Sequence, residues 1–308
     1  MTAPVFGFGA HSTVDEASEL LELVRRADDD GLDVFSLSDH PYLGERLDAY
    51  AALGFVLGRT RRIAGFANVT NPTRAPALLA RTVAALSALS GGRVVLGMGA
   101  GGLWDRIADM GLPRLSPGAA VDAFEEAIVL VRALCGGGPP VTFTGRHHRV
   151  HRIDPAPVPA PPVWTGSVGR RSLAATGRVA DGWIPGHAAD WRSARYFSSR
   201  PVIDGAAVAV GRDPAAVRTI FNLPGRITDL PLPAPRDGDG RWVGGDVAQW
   251  VDELTGAVLE HGASGFLLFS PAGGTPDARS LERWAGEIVP AVREAVATES
   301  PEKGEEPG

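Results

Sequence analysis

Lysine is almost absent from this chain of 308 residues. Of the 30 lysine and arginine residues, one is a lysine, Lys303, and it lies among the last six residues. Enzymes that form a Schiff base or bind pyridoxal phosphate need a lysine amine in the active site, and a P-loop needs one beside the phosphates. Because a terminal segment cannot supply that amine, the sequence excludes these three kinds of site.

Cysteine, excess positive charge and long apolar runs are also scarce. The single cysteine, Cys135, cannot form an internal disulfide, and the apolar helical stretch before it predicts a packing role. The net charge is −6 and no basic stripe is present, which argues against a nucleic-acid partner. No apolar run reaches roughly 18 residues, and no signal-peptide pattern is visible. We expect a cytoplasmic protein with no membrane partner.

Short β-rich runs alternate with amphipathic helical runs. Strands are predicted at 5–10, 34–38, 62–67, 93–97, 163–166, 182–185, 218–223 and 265–269. Helices are predicted at 14–30, 48–59, 76–89, 117–134, 169–177, 188–211, 247–261 and 277–297. Strands that alternate with helices in a chain of this length predict an α/β fold, the (β/α)8 TIM barrel. A doubly wound sheet is the alternative.

Two segments interrupt this alternation. A hairpin within 141–150 and the proline-rich connector after it predict an insertion between barrel strands 4 and 5. Segment 225–245 follows the seventh strand, so it should lie on the C-terminal face, where it could cover a site. We expect one barrel domain over 1–297 and a disordered tail over 298–308.

The candidate site is sought at the ends of the predicted strands, because the active sites of TIM barrels lie at the C-terminal ends of their strands. Asp39 and His40 end the second strand. One side chain of this pair could contact the edge of a ring, while the other donates or accepts a proton. The alternative is a loop aspartate that caps backbone donors beside a surface histidine.

The fourth strand ends in a glycine turn, with Gly97, Gly99 and Gly101 alternating before Gly102. This matches G-x-G-x-x-G, but a dinucleotide site normally has that pattern in the first βα turn, with an acidic residue about 20 positions later. The glycines instead indicate a flat group packed against the backbone. A simple tight turn is the alternative.

The fifth strand leads directly into a helix through Gly166, Ser167, Gly169 and Arg170. Free N–H groups at a helix start bind anions, and arginine adds positive charge, so a phosphate site is expected here. A helix cap by Ser167 is the alternative.

Two further clusters predict no site. The hairpin histidines, His147, His148 and His151, are expected to be exposed, and no carboxylate or cysteine partner has a metal-site spacing, so no metal is predicted. The acidic run 28–30 is expected to be a solvated helix end.

Several motifs together resemble the luciferase-like monooxygenase superfamily of flavin-dependent oxidoreductases. They are Ser38-Asp39-His40, residues 70–77 with Arg74-x-Pro76, residues 89–101, and residues 177–183. The resemblance extends over about residues 4–296. It implies a (β/α)8 barrel, often a homodimer, that binds FMN or the deazaflavin coenzyme F420. The Asp39–His40 pair and the Arg74 segment are more similar to the coenzyme F420 branch.

The resemblance also implies roles for individual residues. Asp39 would contact the ring system, and Asn68 with Val69 would form a bulge that supports the back of the ring, often through a non-prolyl cis peptide. The glycine turn 97–102 would line the edge of the ring, and segment 166–170 would hold the phosphate. Beyond the resemblance, we expect His40 to relay a proton, and Trp104 and segment 225–245 to shape the substrate pocket.

This sequence departs from the members that oxidise sugar phosphates. Those members carry an acidic residue after the glycine turn and lysines for the substrate phosphate, whereas Gly102 and Leu103 stand after this turn and the barrel has no lysine. A tryptophan usual after the Asp-His pair is also absent from residues 41–44. A sugar phosphate is therefore not expected, and the small-molecule substrate should be uncharged or bound by arginine.

The expected reaction is hydride transfer between coenzyme F420 and a small organic substrate. Two alternatives remain open from the sequence. One is an FMN-dependent monooxygenase that receives reduced flavin from a partner flavin reductase. The other is a flavin-binding barrel without catalysis, which the missing acidic neighbour at Gly102 suggests.

Overall fold

The structure is a computed structural model that describes residues 3–11, 13–187 and 189–299. Parallel strands form its centre. The strands are β1 (Val5–Ala10), β2 (Val34–Leu37), β3 (Ala64–Ala67), β4 (Leu96–Met98), β5 (Val141–Thr144), β6 (Arg149–Ile153), β7 (Val163–Thr165), β8 (Gly182–Trp183), β9 (Arg218–Pro224), β10 (Arg226–Ile227), β11 (Gly244–Gly245) and β12 (Gly265–Phe269). Eight of them form one parallel sheet in the order β3-β2-β1-β12-β9-β8-β7-β4.

The two outer strands of this sheet, β3 and β4, meet along a short seam. Two isolated parallel bridges join them, Gly65 to Val94 and Thr70 to Met98. The sheet is therefore a nearly closed barrel, which confirms the predicted (β/α)8 fold and excludes the doubly wound alternative.

Helices surround the barrel. They are α1 (Ala17–Asp29), α2 (Ala49–Leu57), α3 (Pro76–Ser90), α4 (Trp104–Asp109), α5 (Pro117–Ala133), α6 (Arg170–Val179), α7 (Ala194–Ala209), α8 (Val247–His261), α9 (Ala278–Arg283) and α10 (Val289–Glu299), with a π-helical turn at Trp284–Ile288. Helix α10 includes the first two residues of the predicted tail, and the rest of that segment lies outside the described residues. None of the helices in the described ranges has the length and apolarity to cross a membrane.

Local signals explain where several helices begin and end. Asp48 accepts hydrogen bonds from the N–H groups of residues 50 and 51 at the start of α2, and Asp246 forms a capping box with Gln249 at the start of α8. Gly91 and Gly262 end α3 and α8 in the left-handed conformation, which glycine adopts without a steric penalty.

The barrel interior is filled by large apolar side chains. These are Val34, Phe66, Trp164, Ile184, Ile220, Leu267 and Phe269. Phe269 lies at the mouth against Gly9, where a Cβ atom would come within 1.8 Å of the phenyl ring. The barrel interior is thus a packed core and not a channel, so a site is expected at an end of the barrel.

The hairpin of β5 and β6 is the predicted insertion between barrel strands β4 and β7. The Glu126 carboxylate on α5 accepts hydrogen bonds from the N–H groups of residues 146, 147 and 148 at 2.7–3.0 Å. The His148 ring also bonds the carbonyl oxygen of Ala123 through Nε2, at 3.0 Å. His147 and His148 are therefore half-buried, and the expectation that they are exposed was wrong. No metal-binding cluster occurs among the residues that the structure describes.

Asp28 also differs from expectation, because it is buried rather than solvated. Its carboxylate accepts hydrogen bonds from the N–H groups of residues 61, 62 and 63, each at 2.7 Å. These bonds hold the pKa of Asp28 below its usual value, although burial opposes them. The end of α1 is thereby tied to the segment that leads into β3. Cys135 is buried in an apolar cluster with Ala84 and Ala156, in keeping with its predicted packing role.

Candidate active site

Three of the predicted cofactor segments meet at the side chain of Val69, beside the seam. The Asn68–Val69 peptide bond is cis, as the family resemblance implies. A Cβ atom added at Gly99 would lie 2.8 Å from Val69 Cγ2, and one added at Gly166 would lie 3.1 Å from the same atom. Neither glycine has a Cβ atom, and the Val69 side chain occupies the space that such an atom would need. Val69 itself is half-buried at the barrel mouth.

The side chain of Asn68 holds this bulge from inside the barrel. Its amide nitrogen donates to Ser36 Oγ at 3.3 Å and to Asn222 Oδ1 at 3.2 Å. These bonds link the end of β3 to β2 and β9. The sequence motifs did not single out Asn222, whose signal is that a polar residue interrupts the apolar run from Ile220 to Leu223.

Asp39 is a buried carboxylate with an unused acceptor. Arg74 donates to its Oδ1 at 3.4 Å and to Asp48 Oδ2 at 2.7 Å, while Asn71 bonds its backbone carbonyl. Within the described ranges, Asp39 Oδ2 is buried and has no hydrogen-bond partner. Burial raises the pKa of Asp39 to about 6, while the charge of Arg74 and the nearby hydroxyl of Thr70 oppose this shift. The carboxylate caps no described backbone donor, so the alternative role as a loop cap does not apply.

His40 is held by its neighbour Tyr42. The imidazole Nδ1 and the phenol oxygen share a hydrogen bond of 2.6 Å. Burial lowers the pKa of His40, and the charges of Arg46 and His11 lower it further. The imidazole is therefore neutral near neutral pH. When Nδ1 carries the hydrogen and donates it to the phenol oxygen, Nε2 keeps a free lone pair that can accept a proton.

Two further histidines lie at the barrel mouth. His11, directly after β1, shares a hydrogen bond of 3.3 Å with Ser38 Oγ. The ring of His187, after β8, lies 4.4 Å from the ring of Phe269, centre to centre. Burial lowers the pKa of both histidines, and the charge of His11 lowers that of His187 further. The sequence motifs pointed to His40 alone, although both residues follow strand ends.

The glycine turn after β4 serves several purposes. A Cβ atom at Gly97 would lie 2.0 Å from the carbonyl oxygen of Ala67, so this glycine permits the close approach of β3 and β4. Gly101 has φ +90°, and a Cβ there would lie 3.1 Å from the Trp104 indole. Gly102 has open space around it. Of the three predicted glycines, Gly99 is the one placed against Val69.

The start of α6 has the form expected of an anion site. No side chain caps this helix, whose N-cap residue is Gly169, and both Gly169 and Arg170 are exposed. Ser167 is buried, and its hydroxyl accepts a hydrogen bond from Thr176 Oγ1 at 2.9 Å. The alternative that Ser167 caps the helix therefore does not hold, and the first N–H groups of α6 remain available to an anion.

Segment 225–245 folds over the mouth, as its position in the sequence predicted. Arg236 anchors it, since its guanidinium donates to Asp190 Oδ2 at 2.9 Å and also to Glu253. Asp190 Oδ2 accepts a further bond from the backbone N–H of Trp242 at 3.0 Å. A cavity of about 320 Å³, named the loop cavity here, lies between this segment and the ends of β8, β9 and β12.

A second cavity, of about 280 Å³, lies outside the barrel wall beside Gly99. It is mainly apolar and is enclosed by α3, α4, α5 and the hairpin, with Trp104, Leu112, Leu115 and Phe124 among its lining residues. Trp104 therefore faces this cavity and the glycine turn, whereas segment 225–245 borders the loop cavity.

Comparison with known proteins adds relatives of named activity. The F420-dependent glucose-6-phosphate dehydrogenase of Nakamurella multipartita is 31% identical over 195 residues, which cover 60% of this chain and 57% of that protein. The F420-dependent hydroxymycolic acid dehydrogenase of Mycobacterium tuberculosis is 34% identical over 154 residues, covering 46% of this chain and 38% of that protein. The chain thus matches about half the length of these curated relatives.

Solved structures share the whole fold. The coenzyme F420-dependent tetrahydromethanopterin reductase of Methanopyrus kandleri superposes with a TM-score of 0.76 at 20% identity, over 94% of this chain and 99% of that one. A riboflavin lyase solved with modified FMN superposes with a TM-score of 0.79 at 15% identity, over 95% and 92%. The model of the luciferase-like monooxygenase family matches residues 1–229. The chain belongs to the luciferase-like monooxygenase family.

Proposed function

We propose that this protein is a coenzyme F420-dependent oxidoreductase that catalyses hydride transfer between the coenzyme and a small organic substrate. The observation that carries the proposal is the pair Asp39–His40 beside the Val69 bulge, with a buried, unpartnered carboxylate oxygen at Asp39. The two relatives reported above, both named as F420-dependent, support the choice of coenzyme.

The residues present fit a flat ring that carries a phosphate-bearing side chain. The side chain of Val69 and the bare backbone of Gly99 and Gly166 form a smooth surface on which such a ring could pack. Asp39 Oδ2 would accept a hydrogen bond from the ring. The uncapped start of α6, with Gly169 and Arg170, would hold the phosphate. When bound, the deazaflavin supplies the ring carbon that accepts or releases the hydride.

His40 would handle the proton of the same reaction. Oxidation of an alcohol removes a hydride from carbon and a proton from the hydroxyl group. A neutral imidazole can accept that proton, and the lowered pKa of His40 keeps it neutral. The hydrogen bond that Nδ1–H donates to the Tyr42 oxygen fixes the plane of the ring and leaves the lone pair of Nε2 free to accept the proton. In the reverse direction the imidazolium returns the proton to the alkoxide.

Separate titrations of the protein with coenzyme F420 and with FMN test this proposal. We expect quenching of coenzyme fluorescence to give a dissociation constant for coenzyme F420 at least tenfold below that for FMN. Tight binding of FMN without coenzyme F420 would favour the monooxygenase with a partner flavin reductase. Binding without turnover on any hydride donor or acceptor would favour the non-catalytic barrel.

We also propose a homodimer that acts in the cytoplasm. Large apolar side chains are exposed on the neighbouring helices α2 and α3, namely Phe55 at 56%, Leu78 at 69% and Leu89 at 87%. Such a group supports an interface between subunits. A chain whose single cysteine is buried needs no oxidising compartment, which supports the cytoplasmic location.

A further inference from the structure

The loop cavity lies across the barrel mouth from the proposed coenzyme site. In the order of the strands around the barrel, β9 and β12 lie opposite the seam between β3 and β4. Residues that follow β8, β9 and β12 line the cavity, including His187, Arg226 and Pro271. A substrate held there at one end can therefore extend across the mouth toward His40 and Val69.

One charged group of the loop cavity has no partner of opposite charge. Arg241 is paired with Asp237 at 2.9 Å and, outside the cavity, with Asp239 at 3.8 Å. Arg226 forms no ion pair with any residue in the described parts of the chain. Burial and the charge of His11 keep His187 neutral. Among the charged side chains that line the cavity, Arg226 is thus the one that no described carboxylate neutralises.

The carboxylate that lines the loop cavity is already engaged in hydrogen bonds. The Asp237 carboxylate already accepts bonds from the N–H groups of residues 239 and 241 and from the Arg241 side chain. Trp242 is only 6% exposed, and its indole N–H has no acceptor among the described residues. A buried donor without a partner is costly unless a ligand satisfies it.

We propose that the loop cavity binds a carboxylate group of the substrate through Arg226 and the Trp242 indole N–H. A carboxylate matches the charge of Arg226 and offers acceptor oxygens to its guanidinium and to the indole N–H. The substrate would then be a hydroxy acid or an oxo acid with one negative charge. The identity of the substrate rests on the proposed function, whereas the carboxylate site does not.

The carboxylate site is testable without coenzyme. Hexanoate, its neutral analogue hexanamide and inorganic phosphate are titrated into the full-length protein by isothermal calorimetry. We expect hexanoate to bind at least tenfold more tightly than hexanamide, because a charged acceptor bonds a guanidinium more strongly than a neutral one does. Equal affinity for hexanoate and hexanamide, or phosphate binding as tight as hexanoate, would overturn the assignment.

Variants then identify the residues. Arg226→Gln should weaken hexanoate binding about tenfold and abolish the preference over hexanamide, and Trp242→Phe should weaken it several-fold. Arg149→Gln is the matched control, since Arg149 is an exposed arginine on β6 with no described ion pair. An unchanged hexanoate affinity in Arg226→Gln contradicts the proposal. Because Arg226 is exposed and unpaired, this variant should fold normally, as circular dichroism can confirm.

Turnover assays separate this proposal from the proposed function. Secondary hydroxy acids of four to eight carbons and their methyl esters are offered with coenzyme F420. We expect kcat/KM to be higher for the acids, and the advantage to disappear in Arg226→Gln. Coenzyme reduction that favours the esters would refute the carboxylate site while the proposed function stands. Hexanoate binding without reduction of the coenzyme by any alcohol would refute the proposed function while the carboxylate site stands.

Discussion

Asp39 is a charged group in an environment that favours its neutral form. The pKa of about 6 lies above the ordinary 3.8, so the folded state binds this proton more tightly than the unfolded state does. The stabilisation is complete at low pH and is lost as the pH rises through about 6. The protein without coenzyme therefore retains a buried carboxylate that destabilises it at pH 8 and that a ligand donor could satisfy.

Replacing Asp39 should reveal this cost. We expect the free energy of unfolding of Asp39→Asn, relative to that of the wild type, to increase by about 1–3 kcal/mol as the pH rises from 4.5 to 8. The reason is that asparagine cannot ionise, whereas the wild type loses stability over this range. Urea unfolding of the coenzyme-free protein at both pH values measures the difference. Asp48→Asn, which removes the more exposed carboxylate paired with Arg74, should show a smaller pH dependence. A pH-independent effect of Asp39→Asn would contradict the interpretation.

His40 should control the pH profile of alcohol oxidation. Under the proposed function the neutral imidazole is the proton acceptor, so kcat/KM should fall as the pH drops through a pKa below 6.5. We expect His40→Gln to lower kcat about 10²–10⁴-fold and to remove this limb of the profile. Tyr42→Phe should lower kcat by less and keep the limb. If the pH profile of His40→Gln keeps the acidic limb of the wild type, His40 is not the base.

Single residues divide clearly into those that the sequence predicts and those that it does not. The position of Asp39 at a strand end was enough to propose it as a site residue, whereas Val69 was proposed from the family resemblance. The buried role of Asp28 depends on backbone donors more than 30 positions away, and the bond from Asn68 to Asn222 spans the barrel. Such partners become visible only when the chain has folded.

At the scale of elements, the βα turns after β3, β4 and β7 act as one unit. The side chain of Val69 occupies the space that Gly99 and Gly166 leave open. Any displacement of one turn therefore moves the surface that the proposed coenzyme would contact.

A methyl group at Gly99 tests this arrangement. Gly99→Ala places a Cβ 2.8 Å from Val69 Cγ2, so the valine must move. We expect the dissociation constant for coenzyme F420 to rise about tenfold or more, since overpacking costs about 1–3 kcal/mol. Gly102→Ala is the control, because no atom lies within 4 Å of its added Cβ. Partial recovery in Gly99→Ala combined with Val69→Ala would identify the clash as the cause.

Element boundaries show where sequence patterns lose information. Helix α8 and strands β1 and β12 have the predicted limits, because strong periodicity coincides with clear flanking signals. Helix α7 begins at Ala194, six residues later than predicted, where the Ser193 hydroxyl caps it. The short helix α4 was not predicted, since six residues are too few to establish a helical period.

At the scale of the whole molecule, α2 and α3 present the apolar surface proposed as the dimer interface. We expect the wild type to have twice the mass of one chain in light scattering at micromolar concentration. Leu78→Glu should give monomers, because it buries a charge in that interface. Val208→Glu on α7, a site of similar exposure at 63%, should leave the dimer intact. A monomeric wild type would exclude the proposed homodimer.

The fold itself was the most predictable property of this chain. The alternation of strands and helices requires a parallel sheet, and the family motifs fix which strand ends face the site. The loop cavity was less predictable, because its unpaired charge at Arg226 arises from the way segment 225–245 folds back over the mouth. Ion pairs within that segment decide which arginine stays free, and they depend on its three-dimensional path.

The seam between β3 and β4 has a consequence for amide hydrogen exchange. Four backbone hydrogen bonds close it, two between residue 65 and residues 93 and 95, and two between residue 70 and residues 97 and 99. With so few bonds, these amides should exchange with deuterium faster than those of the continuous ladders in the barrel. A ring bound against Val69 and Gly99 would span both sides of the seam. Coenzyme binding should therefore slow exchange there most, because the ligand itself would complete the closure of the barrel.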